Sequence, residues 1–156
     1  MKRSTTIKTQ NLDALDEKLI SVLKENARQS SEKLAKKLNV SPTTVRRRLK
    51  KLLRSGAVRM VALVEPSRAG ISLLTIIAFD VEQDSLDSAV SYLNEQPEIK
   101  WISTTTGRFD IMVEAAFHST ADLSEFLQKK LAGIKGLKDT ETFVCLEVKK
   151  GKYISL

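Results

Sequence analysis

Ser41-Pro42-Thr43-Thr44-Val45-Arg46-Arg47-Arg48-Leu49-Lys50-Lys51-Leu52-Leu53-Arg54-Ser55-Gly56 carries its own start and stop signals. Ser41 is a preferred N-cap, Pro42 sits in a first turn that needs no N–H donor, and Gly56 suits the position just past a helix end. At about 100° per residue, Val45, Leu49 and Leu52 share one narrow stripe, with Leu53 at its edge. Thr43, Arg47, Lys50 and Arg54 point the opposite way, Thr44, Arg48 and Lys51 lie along one flank, and Arg46 on the other. No Asp or Glu stands between Ser41 and Gly56, so no ion pair within the helix offsets the repulsion. A solvated face is the plain alternative, but a helix with one apolar stripe and cations over most of the rest is suited to a polyanion.

The residues before it complete a helix-turn-helix. Asn39-Val40 is a very short link back to a helix starting at Ser30 or Ser31, with Leu34, Ala35 and Leu38 inward. Asp13 is placed to cap a first helix, in which Leu12, Leu15, Leu19, Val22 and Leu23 repeat at helical spacing to about Ala27. Residues 1–11 are short of apolar side chains and read as a flexible arm. Residues 12–56 thus form a trihelical DNA-binding domain. Residues 57–70 form a connection: Ala57 to Val64 reads as a linker strand, and Pro66 to Gly70 as the turn out of it.

Charge divides the chain the same way. Residues 1–60 hold 16 Lys+Arg against 5 Asp+Glu, a net +11, whereas residues 61–156 hold 10 against 14, a net −4. The chain of 156 residues is +7 overall and 42% hydrophobic, enough for a real core. Such asymmetry points to a nucleic-acid-binding front with a different task behind. The basic half holds no Phe, Tyr or Trp for stacking on unpaired bases, so duplex DNA is favoured over single strands or RNA.

Residues 71–156 alternate as strand Ile71–Val81, a helix capped by Asp84, strands 99–106 and 109–117 joined at Gly107-Arg108, a helix capped by Ser119, and a strand 140–148. The order β-α-β-β-α-β is that of a ferredoxin-like sandwich with both helices on one face of an antiparallel sheet. In the first of these strands Ile71, Leu73, Ile77 and Phe79 line one face, while Leu74, Ile76 and Ala78 line the other. An antiparallel sheet with one wet face should be polar there. A second copy of the sheet is the simplest cover, which makes this half a dimerisation module; the front helices are a smaller roof.

Taken together, Leu12-Asp13-Ala14-Leu15-Asp16, Asn26-Ala27-Arg28, Leu34-Ala35, the stretch from Ser41 to Gly56, Val64-Glu65-Pro66 with Gly70, and Thr106-Gly107-Arg108-Phe109-Asp110 resemble the Lrp/AsnC (feast/famine) family of prokaryotic transcriptional regulators. The resemblance runs from Leu12 to about Val148. It implies an α+β protein with a winged-helix-like helix-turn-helix joined by a linker strand to a RAM-type effector-binding and dimerisation domain. It also implies a homodimer, extending to tetramers or octamers, and a free amino acid as effector between subunits. Lys33 departs from the family's usual acidic residue before Leu-Ala, and Lys135 from its usual proline before Gly136-Leu137.

Particular residues are expected at each site. Ser41 caps the recognition helix; Thr43, Thr44 and Arg47 are placed for base edges, and Arg46, Arg48, Lys50, Lys51 and Arg54 for phosphates. Thr105, Thr106, Gly107, Arg108, Phe109 and Asp110 form the candidate effector site, with Arg108 for a carboxylate and Asp110 for an ammonium group. From the residues alone the same stretch reads as a tight hairpin in which Gly107 turns and Asp110 bonds nearby backbone. His118 and Cys145 are each alone, so no Cys/His metal set or Cys-His nucleophile is available, and neither catalysis nor a cofactor is expected. The single cysteine and the lack of any signal peptide or membrane-spanning run place the protein in the cytoplasm, off the membrane. A ligand-independent DNA-binding protein whose rear half only assembles it is the other reading.

Overall fold

A computed structural model of the protein describes residues 12–151, so the arm expected over residues 1–11 lies outside the described residues, as do residues 152–156. The chain divides into two compact units between Val61 and Ala62.

The front unit holds three helices, each begun by a side chain that satisfies an otherwise orphaned backbone N–H. Helix α1 spans Ala14–Glu25, and Asp13 accepts from the backbone N–H of Leu15 and Asp16. Helix α2 spans Ser31–Leu38 with Ser30 accepting from Lys33, and α3 spans Pro42–Arg54 with Ser41 accepting from Thr44. Between α2 and α3 the chain reverses at Asn39, the only described non-glycine residue with positive φ (53°). Asparagine tolerates that left-handed geometry, and the Val40 N–H closes the turn on the Ala35 carbonyl at 3.1 Å. Leu19, Leu23, Leu34, Ala35, Val45 and Leu52 are buried together, with Leu38, Leu49 and Val58 packed against them. Each of the large side chains contributes about 1.5–3 kcal/mol by leaving water.

The expected strand from Ala57 to Val64 does not form. Residues 57–63 carry no ladder and Val64 makes an isolated bridge, after which a 3-10 turn runs Pro66–Ala69 and Gly70 reverses the chain at φ 76°. The run has strand-like composition, but a strand exists only where a neighbour accepts its backbone bonds. Met60, Val61 and Leu63 stay exposed.

The rear unit is a four-stranded antiparallel sheet in the order β2-β3-β1-β4. The strands are β1 Leu73–Val81, β2 Ile99–Thr104, β3 Ile111–Phe117 and β4 Leu137–Val144. Helix α4, Leu86–Asn94, and helix α5, Thr120–Glu125, complete the β-α-β-β-α-β order. The core comprises Ile77, Phe79 and Val81 of β1, Ile111, Val113 and Phe117 of β3, and Ala89, Leu93, Leu123 and Phe126 from the helical layer. Ser119 caps α5 by accepting from the Asp122 N–H.

Several expectations differ here: β2 ends at Thr104 rather than 106 and β3 starts at Ile111 rather than 109, because the β2–β3 ladder closes at the Thr104–Ile111 pair. Asp84 caps nothing; it lies in a 3-10 turn, Gln83–Ser85, that leads straight into α4. Strand β4 starts at Leu137, three positions earlier than expected, because its ladder begins opposite Val81 at the end of β1 and is exhausted at Val144 opposite Thr75. Ile71 precedes β1, so the strand's alternation does not reach it, and it packs with Ala116 and Leu74 instead.

After α5 the helical path widens into a π turn, Phe126–Lys130, in which the Leu131 N–H reaches the Phe126 carbonyl. Tyr92 of α4 donates its hydroxyl to the Lys130 carbonyl at 3.0 Å, satisfying an acceptor that the irregular turn exposes. Gly133, in the next turn, is required by that contact, since a Cβ there would lie 2.4 Å from the Tyr92 hydroxyl.

On the face away from the helices, pairing places Trp101, Glu114, Ile76 and Phe143 in one row across all four strands. Trp101 is 52% and Phe143 48% exposed.

Candidate nucleic-acid interface

Helix α3 buries Val45 and Leu52 beneath it and so holds the rest of its surface at fixed angles. Thr43, Arg47, Lys50 and Arg54 are exposed on the outward stripe. Among the described residues no ion pair engages Arg47, Lys50 or Arg54. An arginine near a helix N-terminus with a free guanidinium is able to grip a guanine edge in two hydrogen bonds. Lysines and arginines farther along the same line suit phosphates.

The other expected contacts are partly engaged within the unit. Thr44 places its hydroxyl 2.9 Å from that of Ser41, joining the cap. Arg46 donates to Glu32 of α2 at 2.5 Å, with both side chains more than half exposed. Glu32 is held below the ordinary carboxylate range by its own backbone N–H, then by the Ser30 hydroxyl, and then by Arg46. Arg48 is only 23% exposed; it donates from Nη1 to Asp13 Oδ2 and, at 3.2 Å, to Asp16 Oδ1. The Asp16 backbone N–H, and after it the Arg48 side chain, holds the Asp13 carboxyl down, while Asp13 pushes the Arg48 guanidinium up. Lys51 Nζ stands 4.0 Å from Asp16 Oδ2, which is buried with no hydrogen-bond partner.

The acids are what reading the helix alone misses. Asp13, Asp16 and Glu32 lie 14 to 35 residues before the arginines they hold. One signal was available: Asp16 falls on the apolar line of Leu12, Leu19 and Leu23, and a carboxylate at such a position needs a cation from a packed neighbour.

In the rear unit, Thr105, Thr106, Arg108 and Phe109 line an open depression, together with Thr104 and Met112, which the motif did not single out. Gly107 and Asp110 are outside that lining. Gly107 adopts φ 112°, which side-chain-bearing residues rarely reach, and nothing crowds its Cβ position. Asp110 Oδ2 accepts the Val81 N–H at 3.0 Å, adding one bond to the β1–β3 ladder where the backbone acceptors end. The Asp110 N–H bonds the Phe79 carbonyl, and the Thr105 N–H bonds the Asp110 carbonyl at 2.8 Å. Arg108 stacks 4.9 Å over the Phe109 ring and reaches Asp139 at 3.4 Å, exposed throughout. His118 Nδ1 lies 3.0 Å from the Gly70 carbonyl, a loop tie. Among the described residues no helix is long and apolar enough to cross a membrane, and no cluster of His, Cys, Asp or Glu is placed to hold a metal ion.

Comparisons with known proteins agree with this geometry. Residues 12–53 match the family model described as the AsnC-type helix-turn-helix domain, and residues 74–154 that of the Lrp/AsnC ligand-binding domain. An HTH-type transcriptional regulator of Pyrococcus furiosus, itself uncharacterised, is 38% identical over 143 residues, which is 91% of this chain and 97% of that protein. Among solved structures, Escherichia coli AsnC superposes with a TM-score of 0.82 at 27% identity, covering 90% of this chain and 95% of that one. A transcriptional regulator of Neisseria meningitidis, solved as its L-Met complex, gives a TM-score of 0.81 at 28% identity, covering 90% and 93%.

Proposed function

The chain belongs to the Lrp/AsnC family of transcriptional regulators, which are not enzymes, and from that premise we propose how this member reads DNA, assembles and responds to an effector. Helix α3 enters the major groove of duplex DNA, with Thr43 and Arg47 at base edges and Lys50, Lys51 and Arg54 on phosphates; Thr44 and Arg46 stand beside them in secondary contacts. The observation that carries the reading is the exposed stripe Thr43, Arg47, Lys50 and Arg54, whose cations have no ion pair among the described residues. In a dimer two copies of α3 meet successive grooves, so the operator is a pseudo-palindrome with half-sites about one helical turn apart. The experiment is selection of bound duplexes from a random library by the wild type and by Arg47→Ala. The variant is expected to lose base preference at its position and roughly 1–3 kcal/mol per site. An unchanged selected sequence at unchanged affinity would sink the assignment.

The rear unit pairs copies through the sheet face bearing Trp101, Ile76 and Phe143. Leaving such a row in water is unfavourable, and a second copy of the same face covers it. Ile76→Glu in the full chain should shift sedimentation from dimer or larger to monomer.

A free amino acid is the proposed effector, supported by the Neisseria relative solved with L-Met. The depression lined by Thr105, Thr106, Arg108 and Phe109 is its proposed place, with Arg108 for the carboxylate and Gly107 shaping the loop. Titration calorimetry across the twenty amino acids, with Arg108→Ala as control, tests it. A second reading, a regulator that needs no effector, is favoured by Asp110, whose carboxylate is engaged by the Val81 N–H rather than offered to an ammonium group. The cytoplasm, where DNA is met, is the proposed place of work.

A further inference from the structure

Arg48 sits in the middle of a helix proposed to face DNA, yet it is turned inward, onto two carboxylates of a different helix. Asp13 is the N-cap of α1 and Asp16 lies one turn on, 1% exposed, so both acids are fixed before any ligand arrives. Hydrogen bonds between ionised partners are the strong ones, and a partly buried arginine with two such partners gives them up only for something better. The remaining oxygen, Asp16 Oδ2, has no hydrogen-bond partner and projects negative potential toward Lys51 at 4.0 Å. The arrangement therefore subtracts positive charge from the flank of α3 while leaving Arg47, Lys50 and Arg54 untouched.

We propose that Asp13 and Asp16 are specificity-determining residues, which act through Arg48 by withholding it from the phosphates. Non-specific binding to DNA is supplied almost wholly by phosphate neutralisation, whereas base contacts discriminate. Withholding one cation per subunit lowers the sequence-independent background and leaves the base-reading stripe intact, so the ratio of specific to non-specific affinity rises. The inference rests on the proposed docking of α3.

The test is the doubly substituted full chain, Asp13→Asn with Asp16→Asn. Asparagine caps a helix as well as aspartate does and keeps the shape of both side chains. Two probes are used: a duplex enriched by the wild type from a random library, and a shuffled duplex of the same composition. Affinities are read across a salt series. Freed from its carboxylates, Arg48 should steepen the slope of log K against log salt by about 0.9 per added phosphate contact. Affinity for the shuffled duplex should rise several-fold, and discrimination between the two should fall by the same order. A merely structural role would weaken binding to both duplexes and leave the slope alone, which would overturn the proposal. Arg48→Gln provides the second arm: the slope should stay at its wild-type value, and a slope shallower by about 0.9 would mean that Arg48 already holds a phosphate, again overturning it. A wild type that fails to bind any duplex would overturn the docking of α3 and this inference together, whereas normal binding with an unmoved slope in the double variant overturns this inference alone.

Discussion

Helix α3 and the loop from Thr105 to Asp110 each combine arginine and threonine, and each resembles a binding motif, but they use their polar groups in opposite ways. A helix satisfies its backbone internally, so its outward side chains remain free for a partner. The loop has no such internal ladder. Thr105 donates its hydroxyl to the Phe109 carbonyl at 2.6 Å and Asp110 substitutes for a missing ladder acceptor. Only Arg108 of the loop's charged groups remains largely in solvent. Polar residues on a helix face thus report on function more directly than the same residues in a tight loop, where the backbone competes for them first.

That contrast can be broken in several places. The largest effect belongs beneath the helix: Leu52→Ala, at a fully buried position, should cost about 2–5 kcal/mol and melt the front unit early while the rear unit's transition stays put in calorimetry. Next is Asp110→Ala. It strands the Val81 N–H, so the rear unit should lose roughly 1–3 kcal/mol, whereas Arg108→Ala, which removes an exposed ion pair and an exposed stack on Phe109, should cost about 0–1 kcal/mol. If Asp110→Ala left the melting temperature unchanged and removed an amino-acid response, the loop would be using its carboxylate as a site after all.

Smaller still is Lys50→Ala, expected to weaken every duplex alike and flatten the salt slope by about 0.9, without altering the selected sequence. The smallest effect lies in acid. Asp13 has its carboxyl held below the ordinary value of 3.8, so the stability this confers is complete above that value and is lost as pH falls through the lowered one. Asp13→Asn should therefore flatten the melting temperature's dependence on pH in the range below about 4 and nowhere else.

Residues alone reveal whatever local rules decide. Ser41, Asp13 and Ser119 cap the helices expected of them, because a cap and its N–H lie within three residues, and of the two serines offered as the start of α2 it is Ser30 that caps and Ser31 that begins the helix. The strand order is legible because turn signals punctuate it. Asp84 misleads, because it lies inside a 3-10 turn that runs straight into α4 and so has no free helix start to cap. The run 57–63 misleads because β composition records a preference, not a neighbour. Arg48 reads as a phosphate contact since no acid lies within its own helix; its partners come from 32 and 35 positions away, brought near only by the packing of α1 on α3.

The π turn at Phe126–Lys130 bears on how this chain should be lined up with its relatives. A π turn is an α-helix holding one surplus residue, and the fold can absorb a single-residue insertion there without rewinding the segment beyond it. Leu131 and Ile134, buried just past the turn, keep their direction because the surplus is contained there. Deleting one residue from 126–130 should therefore restore α-helical winding and leave both side chains in the core, whereas deleting one from the regular helix before it would swing them by about 100°. A gap placed by letter matching alone would not tell these two deletions apart. In a careful alignment this segment is where a length difference between relatives belongs, and chimeras of the rear unit should be spliced outside it.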